Sequence, residues 1–234
     1  MKFWVVAIAA VIGALAAIPL IPLASVVDPA RLRHMGVEAG QVEGTIRRGH
    51  LYEVRLGSVV LGDVSSRLNL ADLSRGRLRL DLEGNDPVSR LSGGVSYGLD
   101  GAGLDDFSFG TALVAGSQPF GNITIVVEGL TARFSGGACQ KAEGRARAYL
   151  SAAARAVGLP SEMSGTASCR DAALTFDLAG AGGREQLLLT IPSARKYRVR
   201  ALIKPVSRAM DEQLRAKGFV PVEDGLAYEE ERTV

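Results

Sequence analysis

From Gly76 to Gly84 the chain alternates without a fault: Leu78, Leu80 and Leu82 fall on one side, and Arg77, Arg79, Asp81 and Glu83 on the other. A period of two with one apolar set predicts a strand with one dry and one wet face. The same reading predicts strands over 51–57, 59–64, 66–70, 94–99, 107–115, 123–130, 144–150, 173–178, 186–191 and 197–203. After a glycine at Gly218 the chain returns in a final strand. The connections are short and carry Gly93-Gly94, Gly101, Gly103, Gly136-Gly137 and Gly182-Gly183. Short strands separated by such turns predict an antiparallel meander. Nothing in the pattern alternates strand, helix and strand as a parallel sheet requires.

Two helices stand out beyond the N-terminal segment. One is an alanine-rich stretch over 151–157. The other covers 206–217, where Val206, Met210 and Leu214 are spaced by four and share a face. Pro205 stands where a helix begins and Gly218 where one stops with a left-handed backbone. The expectation is a buried stripe of Val206, Met210 and Leu214 on the dry face, with Lys204, Arg208, Asp211, Arg215 and Lys217 in water. A single amphipathic sheet with two short helices has two outcomes. Part of its apolar face stays open as a binding surface or lipid groove, or the sheet curves and closes on itself with the C-terminal helix as plug.

Residues 3–27 contain no charge, which is long enough for a helix to span a hydrocarbon layer of roughly 30 Å. Lys2 precedes the run and Asp28-Pro29 ends it. The run reads as an uncleaved anchor, because a removable signal core is shorter; Ala14-Leu15-Ala16 keeps signal cleavage open as the alternative. Pro19 and Pro22 favour an early bend or end. Lys2 points the N-terminus to the cytoplasm, while Arg31 and Arg33 weigh mildly against that orientation. The organisation expected is an anchor over 1–27 and one exported β-rich domain over 28–234, with no linker dividing it.

The charge balance changes little. With 27 basic and 25 acidic side chains and no long like-charge block, nucleic acid is not indicated. The two cysteines matter more. In an exported chain Cys139 and Cys169 are most simply a disulfide, closing a loop of about thirty residues. Candidate chemistry is sparse. There is no Gly-x-Ser-x-Gly elbow, no His-Glu-x-x-His pair and no phosphate loop. His50 reads as a solvated turn histidine, His34 as interfacial, and Asp105-Asp106 as a strand entry rather than a calcium site. Arg47, Arg48 and Arg55 read as solvated strand faces or as a patch for anionic lipid or a partner. No enzyme, cofactor or metal site is expected.

Three ordered blocks resemble the type II secretion system protein N family. The first runs from Val42-Glu43-Gly44-Thr45-Ile46 to Leu56-Gly57, with Leu61-Gly62 and the leucines at 78, 80 and 82; Ile46 stands where the family's tryptophan is usual. The second is the Cys139 and Cys169 pair with Gly144 and Ser164-Gly165 between. The third holds Lys196-Tyr197, Leu214, Gly218-Phe219 and Gly225. The resemblance implies a single-pass inner-membrane protein, N-terminus cytoplasmic and bulk periplasmic, with no catalytic residues. It implies other secretion subunits and the inner membrane as partners in protein export. The fold expected is mainly β, a curved antiparallel meander with a short C-terminal helix, and it is similar to the AsmA-type modules. That analogy is to fold alone; a periplasmic module that binds or transfers lipid is the alternative function.

Overall fold

The computed structural model describes residues 22–26, 37–56, 59–84, 90–114, 122–156, 158–193 and 196–233. The strands are β1 (Val37–Glu38), β2 (Gln41–Gly44), β3 (Arg48–Leu56), β4 (Val59–Asn69), β5 (Arg77–Gly84), β6 (Ser92–Gly98), β7 (Gly101–Val114) and β8 (Asn122–Ser135). They continue with β9 (Ala138–Leu150), β10 (Glu162–Arg170), β11 (Ala173–Ala179), β12 (Glu185–Ser193), β13 (Lys196–Ile203), β14 (Val220–Val222) and β15 (Gly225–Thr233). Helices are α1 (Leu23–Val26), α2 (Ala152–Ala156), α3 (Arg208–Ala216) and a 3-10 segment at Leu70–Arg75.

All fifteen strands form one antiparallel sheet. From β3 to β13 each strand pairs with its neighbours in sequence, and at the end β15 lies between β13 and β14. β1 and β2 pair with opposite ends of β3, Val37 facing Leu56 and Gln41 facing Tyr52. They therefore make one edge, interrupted at Ala39 and Gly40. The predicted strands over 59–64 and 66–70 are a single strand, β4. β10 has no counterpart in the predicted set. Its inward positions, Met163, Gly165, Ala167 and Cys169, are mostly too small to mark an apolar period.

A crease crosses the middle of the sheet. Gly93 (φ 139°), Asp106 (51°), Gly129 (61°) and Gly144 (155°) have positive φ on four successive strands, β6 to β9. The ladder registers slip at the same places. A bulged strand bends, so the long strands β7, β8 and β9 fold inward there. Only glycine fits two of these positions: a Cβ on Gly93 would lie 2.5 Å from the Phe107 Cα, and one on Gly144 would lie 2.9 Å from the Leu130 Cα.

The core lies on the inner face, and most of it belongs to the second half of the chain. Ile123, Ile125, Val127, Ala146, Ala148, Met163, Phe176, Leu178, Leu187, Leu189, Ala201, Ile203 and Leu226 form one buried cluster. Ala154 of α2, Leu159, Leu214 of α3 and Phe219 complete it. The first half contributes a far smaller cluster of Val54, Val64 and Leu91.

The C-terminal helix starts later than its spacing predicted. The Ser207 hydroxyl accepts from the Met210 N–H at 3.2 Å and caps a helix that begins at Arg208. Val206 therefore stands before the helix and is 64% exposed, which corrects its place in the buried stripe. Leu214 is fully buried, and Met210 is half-buried. A Cβ on Gly158 would lie 2.7 Å from the Met210 Cε. At the far end the Phe219 N–H donates to the Leu214 carbonyl and the Gly218 N–H to that of Arg215. Gly218 takes φ 91°. This is a Schellman stop, with Phe219 and Leu214 in the same buried cluster.

Candidate interaction faces

The inner face of the first half keeps the alternation seen in sequence, but among the described residues no lid covers β5 and β6. Leu78 pairs with Tyr97 and Leu80 with Val95 across β5 and β6. Leu78 is 48% exposed and Tyr97 71%. The second row continues through Leu104 on β7 to Ala132 on β8, and along it the surface passes from open to fully buried. Leu99, in the turn between β6 and β7, and Leu73, in the 3-10 segment, are also exposed. At the other side Leu23 of α1 is buried against β3. Gly49 makes that seat, because a Cβ there would lie 2.3 Å from the Leu23 Cδ2.

The outer face is laced by ion pairs. Arg79 meets Asp81 along β5 at 2.7 Å, and across neighbouring strands Arg147 meets Glu128 at 2.7 Å and Arg170 meets Asp177 at 2.7 Å. Arg77 pairs with Asp100, and Arg133 with Asp105. Ser96 is buried in the same cross-strand row as Arg79 and Arg133. Burial pushes the Asp105 carboxyl up, but the Ser96 hydroxyl and the Arg133 guanidinium outweigh it and hold the group below its usual value. A shallow cavity of about 450 Å³ lies over these residues, and its arginines already have carboxylate partners. A second, of about 460 Å³, lies over β3 to β6. Arg48 and Arg67 stand directly opposite each other there. Among the described residues neither has an ion-pair partner.

The structure joins Cys139 to Cys169, with Cα atoms 5.5 Å apart. The bond sits where two strands part. The β9–β10 ladder ends at Arg145 opposite Thr166, and beyond it the Cys139 N–H donates to the Ala172 carbonyl at 2.7 Å. The disulfide thus ties the free end of β9 to the far end of β10 inside the main core.

His50 lies on β3 rather than in a turn; it is exposed and stacks loosely on Tyr52, ring centroids 6.5 Å apart. Asp105 is occupied by Arg133, and Asp106 lies at the crease. Among the described residues no group of His, Cys, Asp and Glu is placed to hold a metal ion. His34 and most of the apolar run over 3–27 lie outside the described residues. The described end of that run pairs Pro22 with Thr45 and adds the single turn α1. Among the described residues no helix is long and apolar enough to cross a membrane.

Alternation in the sequence revealed the leucine rows, but it gave no sign of which rows would stay open. The seat of Leu23 and the facing arginines Arg48 and Arg67 also escaped it, since strand register cannot be read from one chain.

Residues 35–227 match the family model described as type II secretion system (T2SS), protein N. No curated protein and no solved structure matches the chain.

Proposed function

The chain belongs to the type II secretion system protein N family, and from that premise we propose that it serves the export machinery without catalysis, through contacts of its open inner face. The supporting observation is the pair of apolar rows, Leu78 with Tyr97 and Leu80 with Val95, in which Leu78, Tyr97 and Val95 are exposed among the described residues beside a closed core. An exposed patch of that kind is a contact surface rather than an accident of folding. In this reading residues 3–27 hold the protein in the inner membrane, residues 28–234 stand in the periplasm, and the partners are other secretion subunits. A disulfide in the core suits an oxidising compartment.

The test is site-specific photocrosslinking in cells that secrete through this system. A crosslinker replacing Tyr97 is expected to capture another secretion subunit, and one replacing Arg147 on the outer face is not. Equal capture from both positions, or none from either, overturns the contact reading. The anchor is checked separately: the protein stays in the membrane pellet after carbonate washing, and release with a shortened N-terminus overturns that part alone. The same open rows support a second reading, the binding of lipid or another hydrophobic ligand. Native mass spectrometry of the full chain would then show a bound lipid mass that Tyr97→Asp removes.

A further inference from the structure

We propose that the outer edge of β15, from Glu229 to Thr233, is a docking site for a strand of a partner protein that carries basic residues at alternate positions. Backbone directions establish the edge. The Lys204 N–H donates to the Arg184 carbonyl at 3.0 Å, so Lys204 and Leu202 direct their backbone groups toward β12. The residues between, Ile203, Ala201 and Val199, therefore face β15, where Leu226, Tyr228 and Glu230 stand opposite them. By alternation, Glu229, Glu231 and Thr233 turn their N–H and C=O groups away from β13.

β14 covers only the start of that edge. It pairs Val222 with Gly225 and Val220 with Ala227, and it ends there. Pro221, which has no N–H, faces Leu226, whose backbone groups point the other way. Beyond Ala227, no strand among the described residues pairs with this side of β15. An uncovered edge of this length is a template for strand addition.

Charge selects the occupant. Glu229 and Glu231 project on the outer face, where Arg198 of β13 lies between them at 3.3 and 2.8 Å. Their side chains remain 51% and 44% exposed. A second copy of β15 docked in antiparallel register would set Glu229 against Glu231, and like charges directly opposite are destabilising. A strand with cations at positions i and i+2 would instead continue on its own side the arrangement that Arg198 makes on the other. This surface is distinct from the open inner face, and its standing does not depend on the family reading.

The experiment uses the full-length chain in mild detergent and a dye-labelled peptide of the sequence Lys196–Ile203, the strand that β15 already accepts on its inner side. Binding is read by fluorescence anisotropy, with an isotope-labelled carbonyl in the peptide to report strand formation by infrared spectroscopy. The peptide is expected to bind and to give an antiparallel strand signal; a version with Arg198 and Arg200 replaced by Glu is expected not to bind. Two variants separate charge from backbone. Glu231→Gln keeps the outward N–H and weakens binding severalfold. Glu231→Pro also removes that N–H, at a position where proline is tolerated in an edge strand, and weakens binding about tenfold further, as the loss of one or two backbone hydrogen bonds requires. A circular dichroism spectrum unchanged from the parent shows that the Pro variant folds. Equal binding by the Gln and Pro variants, or by the basic and acidic peptides, overturns the proposal. So does binding without the strand signal.

Discussion

One sheet carries two different solutions to the same problem. Across β5 and β6 the inner face presents Leu78, Tyr97 and Val95 to the outside, with Leu80 half-buried among them. Across β11 to β13 the matching positions, Phe176, Leu189 and Ala201, are sealed. The strand pattern is alike in both halves, so alternation does not decide burial. What differs is cover. The second half bends at the crease, receives Leu214 and Phe219 from the segment after β13, and is tied by a disulfide. Among the described residues, the first half has only the turn at Leu23. Apolar patterning makes a sheet face able to be buried, and a separate element must then bury it.

The sharpest way to break this comparison is to truncate one aromatic in each half. Phe176→Ala is expected to cost about 3–5 kcal/mol in urea unfolding, as for other buried aromatics. Tyr97→Ala is expected to cost less than about 1 kcal/mol, in the range of surface changes. Equal losses mean that the first half is closed in solution. Next comes the disulfide. Replacing both Cys139 and Cys169 by Ala is expected to cost about 3–4 kcal/mol on the chain-entropy account of a thirty-residue loop, and proteolysis should then begin near 138–144. Initial cleavage in the first half instead would show that the bond is not the staple of the second.

A smaller effect isolates the lid. Ser207→Ala removes the cap of α3 and is expected to cost about 1 kcal/mol, while Val206→Ala, at an exposed site, leaves the unfolding midpoint unchanged. The smallest expected effect lies in acid. The Asp105 carboxyl is held below its unfolded value, so its ionised form favours the folded state. Its contribution is complete above the unfolded pKa of about 3.9 and is lost as pH falls through the lower folded value. Asp105→Asn should flatten the acid limb of the stability curve, and an unchanged limb would show that the Arg133 pair contributes nothing to it.

The legible part of the fold was local. β5 could be read outright because Leu78, Leu80 and Leu82 face one way with no bulge between them. β8 was read only to Leu130, although it runs to Ser135. The extra residue at Gly129 shifts the alternation, so Val127 and Leu130 both face inward and the period of two is broken. Val206 was placed on the helix by its spacing, whereas the Ser207 hydroxyl decided where the helix starts. The candidate surfaces were less legible still. That Leu78 stays open while Leu187 does not depends on what packs from elsewhere. That Glu229 and Glu231 border a free edge depends on where β14 stops.

The meander has a consequence for how the protein is made. Along most of the sheet, each strand finds its partner in the segment just before it, and contacts so close in sequence favour fast folding. The chain can therefore zip up from its N-terminal end as it is synthesised, up to β13 the newest strand forming the growing edge. After β13 come α3, Phe219 and then the β14–β15 pair. Until they arrive, Ile203 and its neighbours lie bare at that edge, so a pause just after β13 is the stage at which the nascent chain most needs a chaperone.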